Sequence, residues 1–163
     1  MLFQTYLLLG SNQGDSLSLL AQARTLLHHK VGEIQQISAV YRTQAWGKTN
    51  QPDFYNQVVK LLTPFSPSAL LQGVLAIEQQ MGRVRAEKWA ARLIDIDILY
   101  FGEDIVSVSN LEIPHPQIPH RRFTLAPLAE IAPDFVHPVL LLNQQTLLAQ
   151  CSDPLAVEVV TQA

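Results

Sequence analysis

Arg92-Leu93-Ile94-Asp95-Ile96-Asp97-Ile98-Leu99-Tyr100-Phe101 reads as a buried β-strand that carries two carboxylates. Side chains alternate across a strand that rises about 3.3 Å per residue. Ile94, Ile96 and Ile98 therefore face one way. Asp95 and Asp97 face the other, about 6.6 Å apart along the strand by the same rise. Unpaired charge is costly to bury, so a cation is expected over the acids. Hard oxygen ligands suit Mg²⁺, which protein carboxylates usually share with substrate phosphates and water. A solvated edge strand, or local salt bridges to neighbouring arginines, is the competing account. The isoleucines favour a buried strand.

Basic residues gather around this pair. Arg83, Arg85, Lys88 and Arg92 precede it and Arg121 and Arg122 follow it, six of the chain's 11 lysines and arginines. Guanidinium groups bind phosphate oxygens through paired hydrogen bonds. A basic surface loop would look similar in isolation. Beside paired acids, the cluster has the composition that phosphoryl transfer from a nucleotide requires.

The rest of the chain supplies a frame for that strand. Residues 3–9 form a first strand, broken by Gly10-Ser11-Asn12-Gln13-Gly14-Asp15. Asp15 or Ser16 caps a helix over 17–29, with an apolar stripe at Leu19, Ala23, Leu26 and Leu27. Residues 34–42 are a second strand, 43–53 a polar loop, and 54–62 a third strand. Ser66-Pro67 opens a second helix. Its face Leu70, Val74, Ile77 and Met81 repeats at helical spacing, and Gly82 ends it. Residues 83–92 form a loop before the strand at 94–101. A short hairpin runs through Val106 and Val108. Residues 113–119 are Pro-rich and expected to be extended, and 120–131 hold a short helix. The last thirty residues are apolar and otherwise uninformative. The order β-α-β-β-α-β plus a C-terminal extension predicts an α+β, ferredoxin-like fold. Its sheet is mainly antiparallel and its helices lie on one face. A single domain over residues 1–163 is expected.

Composition narrows the function. With 163 residues, 48% hydrophobic and 15% charged, the chain can bury a sizeable core. A net charge of −3 gives no general attraction to nucleic acid or anionic membrane. The lone Cys151 excludes an intrachain disulfide, which fits a reducing, cytoplasmic setting. The opening residues lack the basic region of a signal peptide, and no apolar run approaches the ~20 residues of a membrane span. Neither nucleic acid, membrane nor an obligate protein partner is expected. There is no G-x-x-x-x-G-K-[ST], H-E-x-x-H or G-x-S-x-G, and no zinc spacing. His28 and His29 belong on an exposed helix face.

Four aromatics flank polar loops: Trp46, Phe54, Trp89 and Phe123. Each alone is more simply a core residue, but together they could sandwich a flat heterocycle. Asn56 shares a strand face with Phe54, and its amide offers two donors and an acceptor to a pterin or purine edge.

At this point the residues resemble the 6-hydroxymethyl-7,8-dihydropterin pyrophosphokinase family. The most specific match is Lys88-Trp89-Ala90-Ala91-Arg92-Leu93-Ile94-Asp95-Ile96-Asp97-Ile98-Leu99. Tyr41-Arg42-Thr43, Gln51 to Asn56, Glu78, Gly82 to Arg85, Pro114-His115-Pro116, Arg121 to Phe123, Pro127-Leu128 and Glu130 to Pro133 follow in the family's order. The resemblance implies transfer of the β,γ-pyrophosphoryl group of ATP to the pterin hydroxymethyl oxygen, giving the pterin diphosphate and AMP. It implies two Mg²⁺ ions on Asp95 and Asp97, with Asp95 also among the pterin contacts. Arg83 and Arg92 would act on the transferring phosphates. Arg85, His115 and Arg121 would bind ATP, and Glu78 and Ile98 would lie at the nucleotide. Phe54 and Phe123 would sandwich the pterin, with Asn56, Thr43, Gln44 and Trp46 reading its edges. Trp89 would sit on a loop that closes over both substrates.

The chain departs from that pattern in places. Ala90-Ala91 replaces a frequent Gly-Pro, and the Arg85–Trp89 loop is one residue shorter than in some relatives. Phe54 replaces a common tyrosine, and Leu75 stands where some members carry glutamine. No departure removes a metal ligand or a phosphate-facing arginine. Two other functions share the topology. A different two-metal nucleotidyl or phosphoryl transferase would also use paired acids, but the aromatics and Asn56 favour a small flat acceptor. A non-catalytic ligand-binding regulatory domain needs neither the acids nor the arginines.

Overall fold

The computed structural model describes residues 1–44, 52–82 and 93–160. Its strands are β1 (Phe3–Ser11), β2 (Glu33–Ile37), β3 (Tyr41–Thr43), β4 (Phe54–Thr63), β5 (Asp95–Phe101), β6 (Val106–Val108), β7 (Leu111–Ile113) and β8 (Val157–Val159). Its helices are α1 (Ser16–Lys30), α2 (Pro67–Gln80), α3 (Arg122–Ile131) and α4 (Gln144–Gln150). The main sheet has the order β5-β1-β4-β3-β8, with β2 also on β4, and every pairing is antiparallel. β4 lies between β1 and the β2/β3 edge, and β1 lies between β4 and β5. This interleaving of two βαβ units is the expected ferredoxin-like arrangement.

Local chemistry explains where the helices begin and end. The Asp15 carboxylate accepts a hydrogen bond from Ser18 N–H, and the Ser66 hydroxyl does the same for Ala69 N–H. Each satisfies an orphan donor of the first turn. Pro67 occupies the first turn of α2, where its missing N–H costs nothing. Past the end of α2, Gly82 takes φ +99°, a conformation other residues resist. Leu70, Val74, Ile77 and Met81 are all buried, as their spacing predicts.

Strand alternation divides the core into two layers. Leu7, Leu9, Ile96 and Ile98 pack with α1 and α2 on one face. Tyr6, Leu8, Val58 and Leu99 pack on the other against Leu125 and Leu128 of α3 and Leu147 of α4. The two core helices lie on one face as expected, and the C-terminal helices add a second layer over the other. Along β5 the alternation breaks once. Tyr6 pairs with Tyr100 but Leu7 pairs with Ile98, so Leu99 is the extra residue of a β-bulge. Tyr100 consequently points to the same layer as Leu99, where its hydroxyl bonds Gln144 at the start of α4.

Two local expectations are corrected. The strand expected over 34–42 is two strands, because Ser38 intervenes. Its hydroxyl accepts the Val58 N–H and its carbonyl accepts the Gln57 amide, so side-chain bonds replace part of the ladder. The Pro-rich segment is not extended throughout. Ile118–His120 form a 3-10 turn ahead of α3. Residues 134–160, on which the sequence was uninformative, contain α4 and β8.

Candidate active site

Register brings together residues that are far apart in sequence. Gly10 of β1 stands opposite Asn56 of β4 on one side and Asp95 of β5 on the other. One row behind, Leu8 lies between Val58 and Asp97. Tyr41 of β3 extends the first row as the partner of Asn56, and Thr43 pairs with Phe54 two residues further along. Asp95 and Asp97 therefore share a face with Asn56, away from Ile96 and Ile98.

The ends of these strands form the floor of a cleft of about 460 Å³. That volume suits a small ligand. Thr43, Gln44, Phe54, Asn56, Asp95, Asp97, Arg121 and Phe123 all line it, eight of the residues singled out in the sequence. Phe123 sits in the first turn of α3, and the Arg121 guanidinium carbon lies 5.6 Å from its ring centroid. A cation on an aromatic face combines charge with a stacking surface. Asn56 is buried at the floor, whereas Phe54 is 40% exposed at the rim.

Two details of the cleft bear on what it can hold. Thr43 Oγ1 is buried and has no hydrogen-bond partner among the described residues. Such an atom is costly unless something in the cleft completes it. Gly10 matters by what it lacks. A Cβ there would stand 2.8 Å from Asn56 Oδ1, inside ordinary contact. The missing side chain gives the amide its place at the floor.

His115 and Glu78 lie outside the lining. The His115 backbone N–H bonds the Leu99 carbonyl at 3.0 Å, tying the Pro-rich segment to the edge of β5. Its Nδ1 accepts the Gln117 N–H at 3.1 Å, so the neutral ring carries its proton on Nε2. Burial lowers the His115 pKa. The nearby Asp97 carboxylate opposes that shift and Arg121 reinforces it. Glu78 is buried on α2, and its carboxylate accepts the Ile96 N–H at 2.8 Å. It therefore occupies an outward-facing donor of edge strand β5. Trp46, Arg83, Arg85, Trp89 and Arg92 lie outside the described residues.

Sequence reasoning missed Leu8, Gly10, Ser11, Asn12 and Leu155, which also line the cleft. Gly10-Ser11-Asn12 ends a strand beside the acid-bearing one, and that position was the available signal. Leu155 gave none.

The donor set suits Mg²⁺ better than a closed protein cage. No group of three or more His, Cys, Asp or Glu that could hold a metal occurs among the described residues. Two strand carboxylates facing a cleft leave coordination positions for phosphate oxygens and water, as Mg²⁺ prefers. This donor chemistry is a poor match for zinc.

Acids on one flank of the floor and an amide between aromatic walls on the other suit an enzyme that moves phosphoryl groups onto a small, flat acceptor. Comparison with known proteins makes that class specific. The chain belongs to the 7,8-dihydro-6-hydroxymethylpterin-pyrophosphokinase family, whose model matches residues 6–133. It is 46% identical over 131 residues to a 2-amino-4-hydroxy-6-hydroxymethyldihydropteridine pyrophosphokinase of Synechocystis, spanning 80% of this chain and 67% of that one. A pyrophosphokinase of the same name from Aquifex aeolicus is 41% identical over 134 residues, spanning 82% of this chain and 83% of that one. The fold matches a Plasmodium falciparum HPPK-DHPS structure with a TM-score of 0.78 at 18% identity. That match covers 92% of this chain but 44% of the Plasmodium one. The chain thus spans less than half of the fused protein.

Proposed function

We propose that this chain transfers the β,γ-pyrophosphoryl group of ATP to the hydroxymethyl oxygen of 6-hydroxymethyl-7,8-dihydropterin. Pyrophosphate transfer from ATP to that acceptor is the activity of its family and a step of folate synthesis. The observation that carries the reading onto these residues is the row Asn56–Gly10–Asp95. Adjacent strands are about 4.8 Å apart, so the backbones of Asn56 and Asp95 stand roughly 9.6 Å apart across the floor. The cleft between them, about 460 Å³, accommodates a bicyclic ring whose one-carbon arm points at the acids.

Each side chain has a part in that arrangement. Phe54 and Phe123 stack on the ring faces. Asn56 and the unpartnered Thr43 hydroxyl bond the ring edge, with Gln44 beside them. Asp95 and Asp97 would hold two Mg²⁺ ions, which neutralise charge on the transferring phosphates. Arg121 offers a guanidinium fork to ATP. The resemblance assigns Arg83 and Arg92 to the transferring group, Arg85 and His115 to ATP, Trp46 to the pterin edge and Trp89 to a loop that closes over both substrates. Backbone groups of alternate edge-strand residues point the same way. Ile98 therefore turns its N–H and C=O outward like Ile96, an edge suited to a purine base. Glu78 supports that edge through Ile96.

The hydroxymethyl oxygen attacks the β-phosphorus in line. The bond from that phosphorus to the bridging oxygen of the α-phosphate breaks, AMP departs with that oxygen, and the hydroxyl proton passes to solvent water. No described side chain in the cleft is an evident strong base, so positioning and charge neutralisation supply most of the acceleration. The chain acts as one domain in the cytosol, consistent with its single cysteine. No helix among the described residues is long and apolar enough to cross a membrane.

The test is incubation with ATP, Mg²⁺ and the hydroxymethyl pterin. AMP should form only when pterin is present, and its absence refutes the reading. Asp97→Ala should lower turnover by about a thousandfold, several kcal/mol of lost charge stabilisation. Near-normal turnover at saturating Mg²⁺ refutes the metal assignment.

A further inference from the structure

Residues 151–160 lie against the pocket, beyond the residues 6–133 that the family model covers. β8 pairs with β3, placing Val157 opposite Thr43. Val160 N–H bonds the Val40 carbonyl at 2.8 Å, and Glu158 pairs with Arg42. Upstream, the segment grips the start of α3. Asp153 Oδ2 accepts the Arg122 N–H at 3.0 Å. The Arg122 guanidinium donates to the carbonyls of Cys151 and Asp153 at 3.0 and 2.9 Å. Asp153 Oδ1 takes the Leu155 N–H at 3.0 Å, which directs Leu155 into the cleft lining.

These contacts have a functional position. Helix α3 has no side-chain cap from its own N-cap residue, Arg121. First-turn N–H groups need acceptors, and anionic ones are favoured there. Asp153 supplies one from a distant part of the chain. The residue it holds, Arg122, lies between Arg121 and Phe123, which both line the cleft. Leu155 lies two residues before the partner of Thr43, beside the polar edge of the slot.

We propose that Cys151–Val160 is a strap that completes the pterin pocket. Asp153 positions Arg121 and Phe123 through Arg122, and Leu155 is a wall that contacts the ring and determines pterin affinity. This rests on the assignment of the cleft to the pterin. Leu155 shields the hydrogen bonds at Thr43 and Asn56 from water, and the grip on Arg122 sets the distance between the aromatic walls.

Steady-state kinetics and melting of the full chain test both roles. Leu155→Ala should raise the KM for pterin about tenfold, the loss expected from truncating a side chain packed on the ring. The KM for ATP and the melting temperature should stay near wild type, and Leu155→Met should restore pterin affinity. Asp153→Ala should raise the pterin KM and lower kcat. Asp153→Asn keeps only one of the two acceptor oxygens and turns an NH2 toward the other N–H, so its pterin KM should fall between those of wild type and Asp153→Ala. Wild-type pterin KM in both Leu155→Ala and Asp153→Ala overturns the proposal, even if their melting temperatures fall. An equal rise in the ATP KM of Leu155→Ala also overturns it. Phe123→Ala separates the two levels. If it too leaves the pterin KM unchanged, the assignment of the cleft fails; if it raises that KM while the strap variants do not, only the strap fails.

Discussion

Replacing Gly10 by alanine puts a methyl group where the Asn56 amide enters the pocket. The new Cβ would stand 2.8 Å from Asn56 Oδ1, with the next atoms at 3.9 and 4.0 Å. Ordinary contact begins at 3.4 Å, so the amide oxygen must retreat by about 0.6 Å. Gly10 has no left-handed φ, so alanine is compatible with its backbone. The clash falls on the end of a side chain, and rotation away from the preferred well costs about 0.5–1.5 kcal/mol. Alanine recovers about 0.5–1 kcal/mol over glycine within a strand. Net stability therefore changes by less than about 1 kcal/mol, a few degrees of melting temperature. Recognition suffers more. A misaligned amide leaves buried polar groups unpaired at about 1–3 kcal/mol, roughly 5- to 150-fold in pterin affinity. The assay is AMP formation at varied pterin and ATP, beside thermal melting of both proteins. The pterin KM should rise about ten- to a hundredfold, with the ATP KM within about twofold of wild type. An unchanged pterin KM refutes the role of Asn56. A large fall in melting temperature refutes the confinement of the clash to one side chain.

Two further perturbations probe the frame. Glu78→Ala removes the acceptor of the Ile96 N–H, and a buried hydrogen bond to a charged group is worth about 1.5–3 kcal/mol. Melting should fall by roughly 3–12 °C, Glu78→Gln should recover most of it, and wild-type melting in Glu78→Ala would show that the bond does not support β5. His137 is buried and its Nδ1 accepts the N–H groups of Val139 and Leu140, so burial depresses its pKa. Between the lowered folded pKa and the ordinary value near 6.5, the unfolded chain binds more protons. The neutral ring's contribution is therefore complete above about pH 6.5 and is lost as pH falls through the folded pKa. Wild type should lose more melting temperature between pH 7.5 and 5.5 than His137→Gln does, and equal losses would remove His137 as the cause.

Much of the fold was legible because its determinants are local. The caps at Asp15 and Ser66, the stripe from Leu70 to Met81 and the alternation of Ile94–Ile98 follow from fixed helix and strand periods. The same alternation placed Asp95 and Asp97 on one face before any partner strand was known. Family motifs carried the chemistry further, since their order along the chain survives without coordinates. Ser38 escaped notice because its hydroxyl breaks the 34–42 strand only by bonding a backbone group of β4.

What tertiary structure alone decided depends on register between distant strands. Gly10 lies opposite both Asn56 and Asp95 because β1 is central, and nothing in the spacing of 10, 56 and 95 records that. The Leu99 bulge moves Tyr100 into the layer of α3 and α4, a reversal that strict alternation would have missed. Asp153 caps α3 across 31 residues, and Leu155 reaches the cleft only because β8 pairs with β3. A strand's facing is set within a few residues by backbone geometry. A pocket's walls are set by pairings and caps that form only once the chain has closed on itself.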